Sequence, residues 1–373
     1  MKSLIIKKEV IDDRNYGIDL LRIIAMFFVV ILHSLGHGGV LDNVIINSSQ
    51  YKLAWLIEIV AYCAVDVFAL ISGYVSYTNK EKKINYSNYV KLWMQVVFYG
   101  IVINILFNII NPSLVRAKDY LSVCLPVTKK LYWYFTAYTG LYIIIPIINK
   151  GIRETKDNTL KKIFIIIFIV FTFWEGISSK FALSSGYSFI WITLLNILGA
   201  IMKKTDIGKN FKNYQIIIGI SILYICTYIS KIYISNISLF GFNINGNMFV
   251  SYISPTILGV SILYVIYFSR IKFNNIFSKV IKFAAPSTFS IYIINEHYFV
   301  RENIIRNSFI GIANSSVIKM FVAIIGFSLV FVIASILIDR IRIILFKKCK
   351  IKEFANNIIK LLNNIFEKII KFI

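Results

Sequence analysis

The sequence is poor in the charged residues on which soluble enzymes depend. Charged residues make up 16% of its 373 positions, against about 25% in an ordinary soluble domain. Hydrophobic residues make up 58%, and the mean hydropathy is +0.72. A soluble domain of this size cannot bury that much apolar surface. These values exclude a soluble globular enzyme and a disordered chain, and they favour a polytopic membrane protein.

Cysteine and acidic residues are also scarce. The cysteines are Cys63, Cys124, Cys226 and Cys349. They form no Cys-x-x-Cys pair, so neither a disulfide framework nor a zinc site is expected. The 18 acidic residues face 41 lysines and arginines, for a net charge of +23. Such a charge can indicate nucleic-acid binding. Here the cations lie between apolar segments, as the positive-inside rule requires, and no nucleic-acid partner is expected.

Ten apolar segments are long enough to be considered as transmembrane helices, and they lack the period-two alternation of barrel strands. They span 17–36, 54–78, 88–110, 130–150, 161–177, 188–203, 214–231, 247–269, 284–300 and 317–346. The ninth contains Pro286, Asn295 and Glu296, so it is expected to face protein or a cavity rather than lipid. The predicted fold class is an all-α polytopic membrane protein with about ten transmembrane helices.

The loop charges predict the orientation of these helices. Most lysines and arginines fall in alternate loops, on the same side as the N-terminus, which places both termini in the cytoplasm. The loop after the third segment is the exception, because it lies on the outer side and carries four cations. These are Arg116, Lys118, Lys129 and Lys130.

Residues 1–346 are predicted to form the integral-membrane domain, and residues 347–373 a cytoplasmic tail. Apolar residues recur in the tail at helical spacing, with lysines between them: Phe354, Ile358, Leu361, Leu362, Ile365, Ile369 and Phe372. This pattern predicts an amphipathic helix that lies on the lipid of the inner leaflet. A helix that docks a partner protein is the alternative.

Ionisable residues in the first segment indicate function, because each costs about 2.5–3.5 kcal/mol to insert. Asp19 and Arg22 are three residues apart and can pair on one face. Arg22 and His33 are eleven residues apart, which is about three turns and about 16 Å, so they share a face. The pattern predicts an anion-binding inner end and a basic imidazole near the outer side. The alternative is an arginine that packs helices and an interfacial histidine.

The predicted topology brings further polar and aromatic residues to the depth of His33. They are His37, Glu58, Trp133, Tyr134, Glu175, Asn295, Glu296 and His297. An imidazole beside a carboxylate is the arrangement that general-base catalysis requires. His33 is therefore the candidate base, with Glu296 and His297 as further catalytic candidates. Trp133, Tyr134, Glu58 and Asn295 are candidates for the acceptor side, although the aromatic pair also suits an interfacial belt.

The inner side offers cations that could hold phosphates. Arg22 with Asp19, and Lys91 in the third segment, are the candidates for donor binding. Lys80, Lys82 and Lys83 add charge that the positive-inside rule already explains. No metal site is expected, because no ligand spacing supports one.

Four motifs, in this order, resemble those of the acyltransferase 3 family of integral-membrane acyltransferases. The first is Gly17-Ile-Asp-Leu-Leu-Arg-Ile-Ile-Ala followed by His33, and the second is Val65-Asp-Val-Phe-Ala-Leu-Ile-Ser-Gly-Tyr-Val. The third runs from Leu131-Tyr-Trp-Tyr to Pro146, and the fourth is Ser287-Thr-Phe-Ser-Ile-Tyr-Ile-Ile-Asn-Glu-His. The resemblance covers about 17–346.

The resemblance implies about ten helices and transfer of an acyl group, usually acetyl, from cytoplasmic acyl-CoA to a sugar hydroxyl. It also implies that His33 is the catalytic base and Arg22 its motif partner. Two positions depart from the family pattern. Lys91 stands where the family often has paired arginines, and Asn295 stands where it has histidine, with His297 two residues further on.

The sequence therefore predicts an O-acetyltransferase of a cell-surface or lipid-linked polysaccharide, in the cytoplasmic membrane of a bacterium. Acetyl-CoA is expected as a substrate, with no bound cofactor. The rival interpretations are a polytopic transporter of a small solute or an acylated glycan precursor, and a structural partner of a glycan-assembly complex. The oligomeric state is left open, with a homo-oligomer among the alternatives.

Overall fold

The computed structural model describes residues 14–80, 85–174, 181–234, 237–239, 242–244 and 246–372, and these are mostly helical. The α-helices are α1 (Tyr16–Leu35), α2 (Val40–Asn43), α3 (Ser49–Ala61), α4 (Ala64–Ser76), α5 (Ser87–Ile110), α6 (Ala117–Cys124), α7 (Trp133–Glu154), α8 (Asp157–Phe168), α9 (Phe189–Thr205), α10 (Asn213–Tyr233), α11 (Pro255–Ser269), α12 (Asn275–Ala284), α13 (Thr288–Glu296), α14 (Tyr298–Val300), α15 (Ile310–Ala313), α16 (Val317–Lys348) and α17 (Ile351–Phe372).

Within the described residues, each of the ten predicted segments contains helix, and six helical stretches are long and apolar enough to cross a membrane. These are Tyr16–Asn43, Ser49–Ser76, Ser87–Ile110, Trp133–Glu154, Asn213–Tyr233 and Val317–Lys348. The chain is thus a multi-pass helical membrane protein. The count of ten spans and the cytoplasmic position of both termini stay predictions.

Two predicted segments are interrupted. The second, 54–78, consists of α3 and α4, with a break at Tyr62 and Cys63. The ninth, 284–300, begins with a 3-10 turn at Ala285–Ser287, continues as α13 and breaks at His297, where φ is −58° and ψ is 131°. The extended backbone at His297 ends the helix directly after Asn295 and Glu296.

Two other segments differ in their boundaries. The eighth, 247–269, becomes helical only at Pro255, because Ser254 caps α11 and proline suits the first helical turn. In the fifth, α8 passes into a π-helix at Ile169–Trp174. The predicted end of that segment, with Glu175, lies outside the described residues. A short antiparallel hairpin of β1 (Ile237–Leu239) and β2 (Phe242–Ile244) was not predicted.

Helices α4 and α9 cross in close contact. A Cβ at Gly73 would lie 1.9 Å from the Asn196 carbonyl oxygen, and one at Gly199 would lie 2.0 Å from the Leu70 carbonyl oxygen. Any larger residue would separate the helices, as is typical of small-residue contacts in membranes. The Asp66 carboxylate accepts a hydrogen bond of 3.0 Å from the Trp191 indole across the same interface. Asp66 therefore ties α4 to α9.

Helix α1 lies at the centre of the bundle, where it packs against α3, α4, α11, α13 and α16. Its neighbours bury Leu21, Met26 and Val30 as well as Asp19. The polar residues of α1 consequently face other helices, as the cost of placing them in lipid requires.

The tail forms helix α17, which begins directly after α16 and contacts α5. Ala355 is buried in this contact, whereas several large apolar side chains along the helix are exposed: Phe354, Leu361, Leu362, Ile365, Phe366, Ile369 and Ile370. Their attachment to the inner leaflet stays a prediction.

Candidate active site

A cavity of about 320 Å³ opens beside the C-terminal half of α1. Met26, Val29 and His33 line it from α1, at the spacing that places them on one helical face. The break between α3 and α4, the start of α7 and helix α13 supply most of the rest. The other lining residues are Leu32, Gly36, His37, Glu58, Tyr62, Val65, Phe68, Trp133, Tyr134, Tyr187, Tyr252, Phe289, Tyr292 and Glu296.

His33 is held by the ninth segment. Its Nδ1 forms a hydrogen bond with the Asn295 side-chain oxygen, and Asn295 is fully buried. An amide oxygen only accepts hydrogen bonds, so Nδ1 carries the proton and Nε2 keeps its lone pair. This contact thus favours the tautomer in which Nε2 is free to act as a base.

Glu296 lies directly behind the imidazole. Its Oε2 is 3.5 Å from His33 Nδ1, and its Oε1 accepts a hydrogen bond of 2.8 Å from Arg301. Glu302 in turn accepts hydrogen bonds from Arg306 and Arg301. The bond from Arg306, with that from Arg301, lowers the pKa of the Glu302 carboxyl. Glu302 therefore stays ionised and holds Arg301 beside Glu296.

His297 occupies a different position. It lies at the break after α13, where its Nδ1 accepts a hydrogen bond of 3.3 Å from the Phe299 backbone N–H. It does not line the cavity of His33. Asn295 is the penultimate residue of α13 and His297 lies in the extended break after it, which explains why their side chains diverge. His297 thus caps the short helix that follows the break. Its catalytic role stays a prediction, and no contact between His297 and His33 exists among the described residues.

The acceptor-side candidates Glu58, Trp133 and Tyr134 all line the cavity. Glu58 is 7% exposed, and its Oε2 has no hydrogen-bond partner among the described residues. Asn295 lies behind His33 instead of on the cavity wall. Glu58 is therefore a buried carboxyl group whose free oxygen suits a hydrogen bond with a ligand hydroxyl.

Aromatic rings form one wall of the cavity. Ring centroids are 4.9 Å apart for Trp133 and Tyr187, 5.1 Å for Tyr187 and Tyr252, and 4.8 Å for Tyr252 and Tyr62. The sequence analysis did not identify these three tyrosines. They come from three distant stretches of a chain that contains 23 tyrosines, so no local signal distinguished them.

Arg22 and Asp19 lie at the other end of α1. Arg22 donates to Asp19 over 3.2 Å, and Asp19 also pairs with Arg14, which was not predicted as a site residue. Arg22 also lies close enough to Tyr134 and Tyr138 for electrostatic interaction. Asp19 thus has two cations, and Arg22 keeps donors that are not used by Asp19.

Lys91 lies near the N-terminal end of α5. No ion pair involving Lys91 exists among the described residues. The charge of Lys352 in α17 is near enough to influence it. Lys80 is described and exposed, whereas Lys82 and Lys83 lie outside the described residues.

A buried polar network joins α5, α13 and α16, and the sequence analysis missed it. Arg342 binds Asp339 through two hydrogen bonds of 2.7 and 2.8 Å. Tyr99 donates to the same carboxylate over 2.7 Å, and Ser290 also bonds to it. Gln95 donates to Ser290 over 2.6 Å. The network fixes α13, and therefore Asn295, against its neighbours.

Within the part of the chain that the structure describes, one group of residues could hold a metal ion. The ligand atoms of His33, His37 and Glu296 lie within 4.8 Å of one another. The sequence spacing had not indicated this cluster. However, His33 Nδ1 is already bonded to Asn295, and Glu296 Oε1 is already bonded to Arg301. Two atoms of the cluster that could bind a metal therefore already have hydrogen-bond partners. The absence of a metal from the reaction stays a prediction.

The model of the acyltransferase 3 family, described as an acyltransferase domain, matches residues 15–340. The chain belongs to the acyltransferase 3 family. Neither a curated protein nor a solved structure matches the chain significantly. The protein is therefore a membrane acyltransferase, and the matched region contains the complete cavity and both ends of α1.

Proposed function

We propose that this acyltransferase 3 protein transfers an acetyl group from cytoplasmic acetyl-CoA to a hydroxyl of a cell-surface or lipid-linked polysaccharide. It would act in the cytoplasmic membrane of a bacterium. The observation that carries the proposal is the contact between His33 and Asn295 at the edge of the cavity. Family membership supports the reaction class, and the cavity supports the choice of base and of acceptor.

The reaction needs one base and one stabilising partner. His33 Nε2 takes the proton of the acceptor hydroxyl while the oxygen attacks the thioester carbonyl carbon. The carbon–sulfur bond then breaks, and the imidazolium returns its proton to the departing thiolate. Asn295 orients the ring throughout, and Glu296, 3.5 Å away, stabilises the positive charge that forms.

The donor approaches along α1. Arg22 precedes Met26 by one turn, and Met26 is the first α1 residue that lines the cavity. Phosphates held by Arg22 and Lys91 at the cytoplasmic end would leave the pantetheine arm to extend towards His33. This route covers about three helical turns, or about 16 Å.

The acceptor occupies the opposite end of the cavity. A sugar ring has apolar C–H faces that pack on aromatic rings, and Trp133, Tyr187 and Tyr252 present such a surface. The free oxygen of Glu58 can form a hydrogen bond with a second hydroxyl. These contacts favour a carbohydrate over an apolar acceptor, because a buried carboxyl group beside an apolar ligand would have no hydrogen-bond partner.

Release of coenzyme A from acetyl-CoA tests the proposal. Membranes that contain the protein should release coenzyme A when a glycan acceptor is present, and the radiolabelled acetyl group should appear in the glycan. Membranes with His33→Ala protein at the same level are the control. Movement of solute or glycan without acetyl-CoA consumption would instead support the transporter.

A further inference from the structure

A second cavity, of about 350 Å³, adjoins the first. Trp133 and Glu296 line both cavities, so these two side chains form the partition between them. Helices α5 and α6 and the residues before α7 supply the remaining walls, together with residues 297–301. The volume is within the range of small-molecule binding sites.

Asn104 is the first sign that this cavity receives a ligand. It lines the cavity from α5 and is only 1% exposed. Neither its side-chain nitrogen nor its oxygen has a hydrogen-bond partner among the described residues. A buried amide whose two polar atoms have no partners destabilises the folded protein. A ligand with polar atoms would supply the missing hydrogen bonds.

Some of the charged side chains that line the second cavity have partners in the protein, and one does not. Glu296 is bonded to Arg301, and Asp119 accepts a hydrogen bond of 2.8 Å from the Arg116 backbone N–H. Lys130 has no ion-pair partner among the described residues. Arg301 and one oxygen of each acid are therefore engaged, and the ammonium of Lys130 is the cation left for a ligand.

The N-terminus of α7 adds to the positive potential. This helix has 22 residues and begins at Trp133 in the cavity wall, and its N-cap, Tyr132, makes no capping hydrogen bond through its side chain. The helix dipole favours an anion at such an end. Lys130 lies three residues before Trp133, with a positive φ of 49°.

We propose that the second cavity is a subsite for an anionic group, a carboxylate or a phosphate, carried by the acceptor glycan next to the sugar that is acylated. This inference rests on the proposed function, because it assigns a second position of the same acceptor. It also gives a role to Lys130, one of the four cations that violate the positive-inside pattern. The acceptor therefore has an acidic repeating unit.

Binding to the purified full-length protein tests the subsite without relying on acyl transfer. The probes are three oligosaccharides of equal length: a neutral glucan, one with alternating glucuronate residues and one with phosphodiester links. Calorimetry with wild-type protein should show about tenfold tighter binding of at least one acidic probe than of the neutral one, because a charge-assisted contact is worth at least about 1.4 kcal/mol. Whichever acidic probe binds more tightly identifies the anion as carboxylate or phosphate.

Two variants and one control assign that preference to the cavity. Lys130→Glu should abolish the preference for the acidic probe, and Asn104→Leu should weaken binding of the same probe. Lys118→Glu changes an exposed lysine of the same loop that does not line the cavity, and it should keep the preference. Equal melting temperatures of Lys130→Glu and wild type show that folding is retained.

Some results would overturn the subsite. Equal affinity for neutral and acidic probes, absence of binding by every probe, or an acidic preference that survives Lys130→Glu would each contradict it. Failure of the subsite can be distinguished from failure of the proposed function. A protein that binds acidic probes through Lys130 but does not use acetyl-CoA would support the subsite and contradict the proposed reaction.

Discussion

His33 in the first helix and Asn295 at the end of α13 are joined by a hydrogen bond across 262 positions of sequence. The contact is made where the ninth segment breaks, one residue before Glu296 and two before His297. It couples the base to the only described segment that also carries a carboxylate within 3.5 Å of the imidazole. The asparagine thus contacts the imidazole from the position at which the family pattern has a histidine.

Replacement of Asn295 should change the rate of reaction more than the binding of substrates. Asn295→Ala removes the acceptor of Nδ1–H, so kcat should fall about tenfold while the KM for acetyl-CoA changes little. Asn295→His restores a ring nitrogen that can accept the same proton and should keep more activity. Steady-state kinetics with purified protein provide the comparison.

Asn295→Asp gives the matched pH test. A carboxylate at this position stabilises the imidazolium, and the protonated ring cannot act as a base. The acidic limb of the pH–rate profile should therefore move to higher pH. An unchanged profile, together with full activity of Asn295→Ala, would show that Asn295 does not orient the base.

The sequence predicted the helical fold class and the polar residues near the two ends of α1, because both depend on local patterns. The cost of charge in a membrane identifies Arg22 and His33, and helical period places them on one face. The roles of Asn295, Arg301 and Tyr187 could not be predicted in this way, because they depend on where distant segments break and meet. The break at Tyr62 and Cys63 has no proline or glycine to mark it.

Arg22→Ala should weaken the use of the acyl donor. Because Arg14 still pairs with Asp19, the variant leaves no unpaired buried carboxylate, and its insertion should be normal. The KM for acetyl-CoA should rise about tenfold, as expected for loss of one charge-assisted contact to phosphate. Lys91→Arg should be tolerated better than Lys91→Glu. Unchanged binding of acetyl-CoA in both Arg22→Ala and Lys91→Glu would refute the donor site.

Removal of the tail after Lys350 should leave the membrane helices intact and preserve part of the activity. The truncation removes no motif residue and none that lines either cavity. Attachment of the isolated tail to anionic vesicles should depend on its lysines, at about 1 kcal/mol for each cation near the surface. A truncated protein that inserts normally but is inactive would show that α17 either completes the donor site, where Lys352 lies near Lys91, or docks an essential partner.

Removal of metal should not affect acyl transfer. His33, His37 and Glu296 lie close enough together to attract an ion, but an ion on His33 would occupy the base that the reaction needs. Incubation with EDTA followed by desalting should therefore leave the rate unchanged. A loss that Zn²⁺ restores, and that His37→Ala abolishes, would indicate a metal-dependent mechanism instead.

His33→Ala tests the central claim most directly. Loss of a general base typically reduces the rate about 10²- to 10⁴-fold. Cells that lack the wild-type gene and carry this variant should therefore have surface glycan without acetyl groups, as measured by mass spectrometry and NMR. His37→Ala, which changes the neighbouring exposed imidazole, should have a much smaller effect. Normal amounts of His33→Ala protein in the membrane, with glycan acetylation restored to the wild-type level, would contradict the mechanism.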